Sequence, residues 1–140
     1  AIGVNLELKG APGCPERLAE IALTRACAVW SAVAPPPLIS SFEPTCLTVA
    51  ARVVPEWPRG MLMDDIDDDW RERAAWVGAA AIIVNHLAID GSETVASLGS
   101  GGRAVLAYTV NQPERACELR GWGVAAVIAD RPENNCPILK

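Results

Sequence analysis

The sequence predicts an α/β protein in which strands and helices alternate along the chain. Short apolar runs of strand length alternate with longer segments whose apolar residues recur at the helical period. The strand segments are continuous apolar runs, which is typical of a parallel sheet covered on both faces. The strand–helix unit recurs about every 20 to 30 residues, the spacing of βα units joined by short loops. Two architectures fit this pattern, an open doubly wound sheet and part of an eight-stranded barrel.

Six strands are predicted from these apolar runs. They cover residues 3–9, 38–42, 59–63, 80–84, 104–110 and 124–128. The first is interpreted as a buried strand with two charges near its end. No G-x-G-x-x-G sequence follows any of the six, which weakens a dinucleotide-binding interpretation.

Five helices are predicted between the strands, at residues 16–30, 45–54, 67–77, 92–98 and 113–120. Pro15 and Pro113 suit the first turn of the first and last helices, where a missing N–H leaves no hydrogen bond unmade. Prolines also end the first two helices. An Asp is expected to cap the start of the third helix, with Trp70, Ala74 and Val77 on one face.

Length and composition limit the classes of function. The 140 residues are predicted to form a single domain over residues 1–140. The net charge is −5 and no segment is rich in Lys or Arg, which argues against nucleic acid as a partner. No apolar run approaches the roughly 20 residues of a membrane span, and no signal-peptide pattern is visible. The five cysteines are scattered without a C-x-x-C pair, and we interpret them as buried, reduced thiols of a cytoplasmic protein.

The most informative polar residues lie near the start of the chain. Glu7 and Lys9 are two residues apart near the end of a predicted strand, so their side chains point to the same face. The residues alone leave two interpretations open, a structural ion pair or a metal ligand beside a phosphate-binding cation. In a barrel the active site lies at the carboxyl ends of the strands. Polar residues follow the other strands as well, at Ser40, Ser41, Asp64, Asn85, His86, Tyr108, Thr109, Asn111 and Asp130.

Several motifs, taken in order, resemble those of one protein family. They are Val4-Asn5-Leu6-Glu7-Leu8-Lys9, Ile39-Ser40-Ser41-Phe42, Tyr108-Thr109-Val110-Asn111 followed by Pro113-Glu114-Arg115-Ala116, and Trp122-Gly123-Val124 leading to Ile128-Ala129-Asp130-Arg131-Pro132. In this order and spacing they are similar to the glycerophosphodiester phosphodiesterases, in particular the bacterial cytosolic type. The resemblance implies a TIM (β/α)8 barrel. This chain would be its C-terminal part, with strands three to eight and about six of the eight βα units.

The resemblance also implies roles for four residues. Glu7 matches a carboxylate ligand of a divalent metal, Ca2+ or Mg2+, and Lys9 matches a phosphate-contacting lysine. Tyr108 matches a position where an aromatic ring often lines the glycerol pocket, and Phe42 is expected at the pocket mouth. The family's two catalytic histidines would lie in the first two strands, which we expect to be missing here. His86, the only histidine, lies in a different unit and is not expected to replace them.

The implied reaction is metal-dependent hydrolysis of a glycerophosphodiester to sn-glycerol 3-phosphate and an alcohol. We expect this chain to be inactive alone, and to need the missing N-terminal barrel segment or a second chain that supplies it. Two alternatives stay open. One is a split or truncated barrel without catalysis that acts only through association with another chain, and the other is an unrelated α/β binding module. A homodimer is also left open.

Overall fold

The computed structural model describes residues 3–10 and 13–133. Within it the chain divides into two compact units. The first unit runs to Leu62 and also includes Asp68–Ala80, and the second comprises Met63–Asp67 and the chain from Ala81 onward. The expectation of a single domain over residues 1–140 stays a prediction.

The first unit contains three strands and three helices. They are β1 (Asn5–Glu7), α1 (Pro15–Val29), β2 (Leu38–Ser41), α2 (Pro44–Val53), β3 (Arg59–Met63) and α3 (Trp70–Trp76). β2 lies between β1 and β3 and is parallel to both. The register sets Glu7 beside Ser40, and Ser40 beside Gly60 of β3. Parallel strands in this register bring the residues that follow β1 and β2 to the same edge of the sheet.

Apolar side chains fill the space between these strands and helices. The largest fully buried ones include Leu23, Ile39, Leu47 and Trp70. Burying each of them stabilises the fold by about 1.5 to 3 kcal/mol. Trp70, Ala74 and Val77 are all buried, which confirms the predicted inner face of α3.

The predicted Asp cap of α3 is wrong in its detail. Asp69 occupies the N-cap position, but its side chain makes no capping hydrogen bond. Its φ of −91° and ψ of 0° are helical, whereas a capping residue usually has an extended backbone that turns its side chain toward the free N–H groups.

β1 is shorter and more exposed than predicted. Asn5 and Glu7 are exposed, Leu6 is half-buried, and only Leu8, which follows the strand, is buried. Among the described strands of this unit only β2 pairs with β1, so the strand is packed on one side. The interpretation of this segment as a buried strand is therefore wrong for most of its length.

The second unit repeats the same architecture. It contains β4 (Ala81–Asn85), one turn of 3-10 helix (His86–Ala88), α4 (Ser92–Leu98), β5 (Ala104–Tyr108), α5 (Pro113–Gly121) and β6 (Ala126–Val127). β5 lies between β4 and β6 and is parallel to both. Ile82, Ile83 and Val84 are consecutive and fully buried, so both faces of β4 are covered, as a continuous apolar run predicts.

The thiols are less buried than the sequence suggested. Cys14, Cys27 and Cys117 are exposed and Cys46 is buried; all four are free, and Cys136 lies outside the described residues. The prediction of buried thiols is wrong for the three exposed residues, because they lie on outer helix faces or next to a helix start. Burial raises the pKa of the Cys46 thiol.

The helices are short. The longest, α1, has 15 residues, fewer than the roughly 20 that cross a bilayer. Over the residues that the structure describes, no helix is long and apolar enough to span a membrane.

Candidate active site

The carboxyl ends of β1 and β2 are joined by hydrogen bonds. The backbone N–H of Leu8 donates to the carbonyl of Ser40 at 2.7 Å. The hydroxyl of Ser41 donates to the carbonyl of Leu8 at 2.6 Å and accepts from the N–H of Glu43 at 3.0 Å. Ser41 is fully buried, so these bonds are shielded from water. Leu8 lies between Glu7 and Lys9, and the peptide groups that join it to both are held by these hydrogen bonds.

Glu7 and Lys9 lie together at this end of β1. The Nζ of Lys9 is 3.9 Å from Oε1 of Glu7, and the two side chains are 82% and 38% exposed. An ion pair this open contributes little to stability, about 0 to 1 kcal/mol. Both charges thus stay accessible to a ligand. The structure brings these two residues together as the sequence predicted, and their roles toward metal and phosphate stay predictions.

The hydroxyl of Ser40, beside Glu7 in the sheet, is a buried polar group without a partner among the described residues. Ser40 is fully buried, and its Oγ has no hydrogen-bond partner among the described residues. Such a group usually costs about 1 to 3 kcal/mol unless water, an ion or another group binds it. Ser40 is the register neighbour of Glu7, so the unmatched hydroxyl lies in the same row of the sheet as the predicted metal ligand.

The described residues do not form a metal site by themselves. They contain no group of three His, Cys, Asp or Glu side chains placed to hold a metal ion. Ca2+ prefers about six to eight oxygen ligands, and Mg2+ binds through one or two carboxylates with water or phosphate. The accessible carboxylate of Glu7 fits one ligand position of either ion, and further ligands would have to come from elsewhere.

Phe42 follows β2 directly and is 43% exposed. An aromatic ring that keeps this exposure at a strand end can contact the apolar part of a ligand. The geometry is compatible with the predicted place at a pocket mouth, which stays a prediction.

Tyr108 ends β5 in the second unit, and its hydroxyl is held by the last residue of β3 and by the residue after it. Its oxygen lies 2.7 Å from Oδ1 of Asp64 and 3.0 Å from the carbonyl of Met63. The phenol O–H can donate to either oxygen, so the ring is fixed at its far end. Asp64 was noted only as a polar residue after a strand, and nothing in its local sequence indicates a partner 44 residues away.

Asn111 and Asp130 form a reciprocal pair that joins the segments after β5 and β6. Nδ2 of Asn111 donates to Oδ2 of Asp130 at 3.1 Å, and the N–H of Asp130 donates to Oδ1 of Asn111 at 3.0 Å. Asn111 thus holds the loop after β6 through a backbone amide, and Asp130 adds a bond through its carboxylate.

Comparison with known proteins identifies the family. The sequence model of the glycerophosphoryl diester phosphodiesterase family matches residues 2–134, nearly the whole chain. The chain belongs to this family. The motif resemblance is thereby confirmed. No curated protein shows a significant match to the chain.

Solved structures give the phosphodiesterase fold. A phosphodiesterase of Oleispira antarctica, in complex with the product sn-glycerol-3-phosphate, superposes with a TM-score of 0.90 at 29% identity and covers 99% of this chain. A putative glycerophosphoryl diester phosphodiesterase of Silicibacter pomeroyi gives 0.82 at 25% identity, also over 99%. A glycerophosphodiester phosphodiesterase of Thermotoga maritima gives 0.68 at 19% over 98%. The predicted fold class, about six of the eight βα units of a TIM barrel, is confirmed.

The chain is short beside the structures it matches. It spans 55% of the Oleispira chain and 50% of the Silicibacter chain. The activity and substrate of a whole enzyme therefore belong to the proposal below.

Arg115 of α5 makes several contacts that the sequence did not predict. Its Nη2 donates to the carbonyls of His86 and Ile89, and its Nε lies 3.4 Å from Nδ1 of His86. Its Nη1 pairs with Glu118, and its guanidinium lies 4.9 Å from the centre of the Trp122 ring. The residue stands in a quoted motif, but a lone helical arginine gives no sequence signal for these contacts.

His86 is bound by that arginine. Burial lowers the pKa of His86 below its ordinary value, and the positive charge of Arg115 lowers it further. The ring is therefore neutral at pH 7, and its Nδ1 is available as the acceptor for Arg115. The expectation that His86 does not replace the family's catalytic histidines stays a prediction.

Proposed function

We propose that this chain is part of an enzyme that hydrolyses glycerophosphodiesters to sn-glycerol 3-phosphate and an alcohol, in the cytoplasm and with a divalent metal ion, Ca2+ or Mg2+. The observation that supports it most is the pair of accessible charges, Glu7 and Lys9, at the carboxyl end of β1 in a chain of this family. The Oleispira relative was solved with that product bound.

Each residue has a distinct part in the proposed reaction. Glu7 would supply one carboxylate oxygen to the metal, whose chemistry when bound is to neutralise charge on the phosphodiester. Lys9 would hold a phosphate oxygen and stabilise the negative charge that grows on it in the transition state. Tyr108, held by Asp64, and Phe42 would contact the glycerol part of the substrate.

Proton transfer in this proposal comes from outside the described residues. Hydrolysis needs a base to activate the attacking hydroxyl and an acid to protonate the leaving alcohol, and histidine suits both near neutral pH. His86 is engaged by Arg115, so the proposal assigns these steps to histidines on the remaining barrel units. The chain alone should then bind weakly and turn over no substrate.

The test uses an active protein that combines this chain with the remaining barrel units. Glu7→Ala should reduce hydrolysis of glycerophosphocholine by about 100-fold or more, because it removes a charge that acts on the transition state. A chelator should abolish the activity, and added Ca2+ or Mg2+ should restore it. Glu16→Gln, an exposed carboxylate of α1, is the matched control and should leave the rate unchanged. Activity that survives both Glu7→Ala and chelation would refute the metal assignment.

A further inference from the structure

Two neighbouring serines of β2 differ in how their hydroxyls are used. Ser40 and Ser41 are both fully buried. The hydroxyl of Ser41 bonds to the carbonyl of Leu8 and to the N–H of Glu43, whereas that of Ser40 has no partner among the described residues. A buried hydroxyl without a hydrogen bond lowers stability, because it gave up its bonds to water on folding. Such a group is expected at a functional site, where a protein gives up stability for binding.

The register of the sheet sets the face on which the side chain of Ser40 lies. Ser40 is paired with Glu7 of β1 on one side and with Gly60 of β3 on the other. Side chains at paired positions of parallel strands project from the same face, and neighbouring strands lie about 4.8 Å apart. Gly60 has no side chain. Among these three residues, Glu7 is therefore the one whose side chain can accept a hydrogen bond from Ser40.

The carboxylate of Glu7 has acceptor positions left for such a bond. Its Oε1 lies 3.9 Å from Nζ of Lys9, which is too long for a hydrogen bond. A carboxylate accepts at about four positions, so it can bind a cation through one oxygen and accept a hydroxyl proton through the other. A serine hydroxyl changes its direction by turning between staggered rotamers. The register already places the two residues side by side, so this bond requires only side-chain rotation.

We propose that Ser40 is the positioning residue for Glu7, and that its hydroxyl donates to the Glu7 carboxylate while that carboxylate binds a divalent cation. Carboxylates that bind metal ions are themselves held by hydrogen bonds, and loss of such a bond typically costs about 10- to 100-fold in metal affinity or activity. Ser40 acts through Glu7 and touches neither the metal nor the substrate. This inference deepens the proposed function and rests on its assignment of Glu7 as a metal ligand.

The first measurement is the stability of Ser40→Ala without metal, in the active protein that combines this chain with the remaining barrel units. The variant should melt at or above the temperature of the wild type, because it removes a buried hydroxyl that has no partner among the described residues. Ser41→Ala is the matched comparison. It should melt at a lower temperature, because it breaks the bonds to Leu8 and Glu43 of an equally buried serine.

The second measurement is metal affinity, by calorimetric titration of the same protein with Ca2+ and with Mg2+ in the absence of substrate. Ser40→Ala should weaken the binding of the cation that the wild type binds by about 10- to 100-fold. Ser40→Thr keeps the hydroxyl and should restore most of that affinity. Ser31→Ala, at an exposed serine, is the control and should bind the cation as the wild type does.

Two results would each overturn the proposal. A lower melting temperature of metal-free Ser40→Ala would mean that the hydroxyl already has a structural partner. Unchanged metal affinity in Ser40→Ala would mean that the hydroxyl does not act on Glu7, and in a protein that still hydrolyses glycerophosphocholine it would refute this inference alone. Metal affinity that depends on Ser40 in a protein that hydrolyses no glycerophosphodiester would leave the role of Ser40 standing and refute the proposed activity.

Discussion

The charged side chains of two regions differ in how far the protein itself provides their partners. At the end of β1, Glu7 and Lys9 share one long ion pair and remain exposed. In the second unit, Arg115 is only 19% exposed and binds two carbonyls, a histidine, a carboxylate and an indole ring. A charge that the fold has already neutralised stabilises structure, whereas one left open is available to a ligand. By this difference Arg115 is a structural cation and Lys9 is a candidate for ligand binding.

The largest effect should come from Arg115→Met, which keeps the length and loses the donors. The carbonyls of His86 and Ile89 would lose a charged partner, and each such hydrogen bond contributes about 1.5 to 3 kcal/mol. We expect the free energy of unfolding to fall by at least about 2 kcal/mol in urea denaturation. Arg71→Met, a surface arginine near Trp70, is the matched control. A loss of unfolding free energy no greater than that of the control would remove the contrast between the two regions.

His86 gives a smaller, pH-dependent effect. Its pKa in the folded chain lies below the ordinary 6.5, so the unfolded chain binds more protons between the two values. Stability is therefore retained above about pH 6.5 and is lost as the pH falls through the lower, folded pKa. As the single histidine, it can be titrated by NMR without assignment. Arg115→Met should move the pKa of His86 upward, and an unmoved titration would contradict the contact with Nδ1.

The smallest effect on stability should come from the open pair. Glu7→Gln and Lys9→Gln should each change the free energy of unfolding by less than about 0.5 kcal/mol, because solvent screens a pair this exposed. Thermal denaturation of the two variants and of the double variant checks this. A loss of about 2 kcal/mol in either would mean that the pair is structural, which is the first of the two interpretations that the sequence left open.

The order of strands and helices could be predicted from the sequence, because each element is indicated by its own local pattern. Continuous apolar runs and prolines near helix starts led to nearly the observed bounds, although α2 begins at Pro44, one residue before the predicted start. The burial of β1 was misjudged, since an apolar run cannot tell whether a strand has neighbours on both sides. The partners of Tyr108 and Arg115 depend on contacts 26 to 45 residues apart, which the fold creates and no local pattern encodes.

The roles of the candidate site residues were predicted from the family motifs more than from the chemistry of the residues. Glu7 and Lys9 were found because alternation on a strand is regular, and the structure has them side by side. The buried hydroxyl of Ser40, which has no partner among the described residues, could not be predicted. Ser40 and Ser41 are neighbouring serines, and the local sequence does not distinguish them. Only the register and the position of α2 decide that one of them is bonded and the other is not.

The hydroxyl of Ser41 has a consequence for how this site could be altered. It joins the carbonyl of Leu8 to the N–H of Glu43, the N-cap residue of α2, and Leu8 lies between Glu7 and Lys9 in the chain. A displacement of the start of α2 would therefore move Glu7 and Lys9 together. The backbone between the two charges is thus held by a buried side chain.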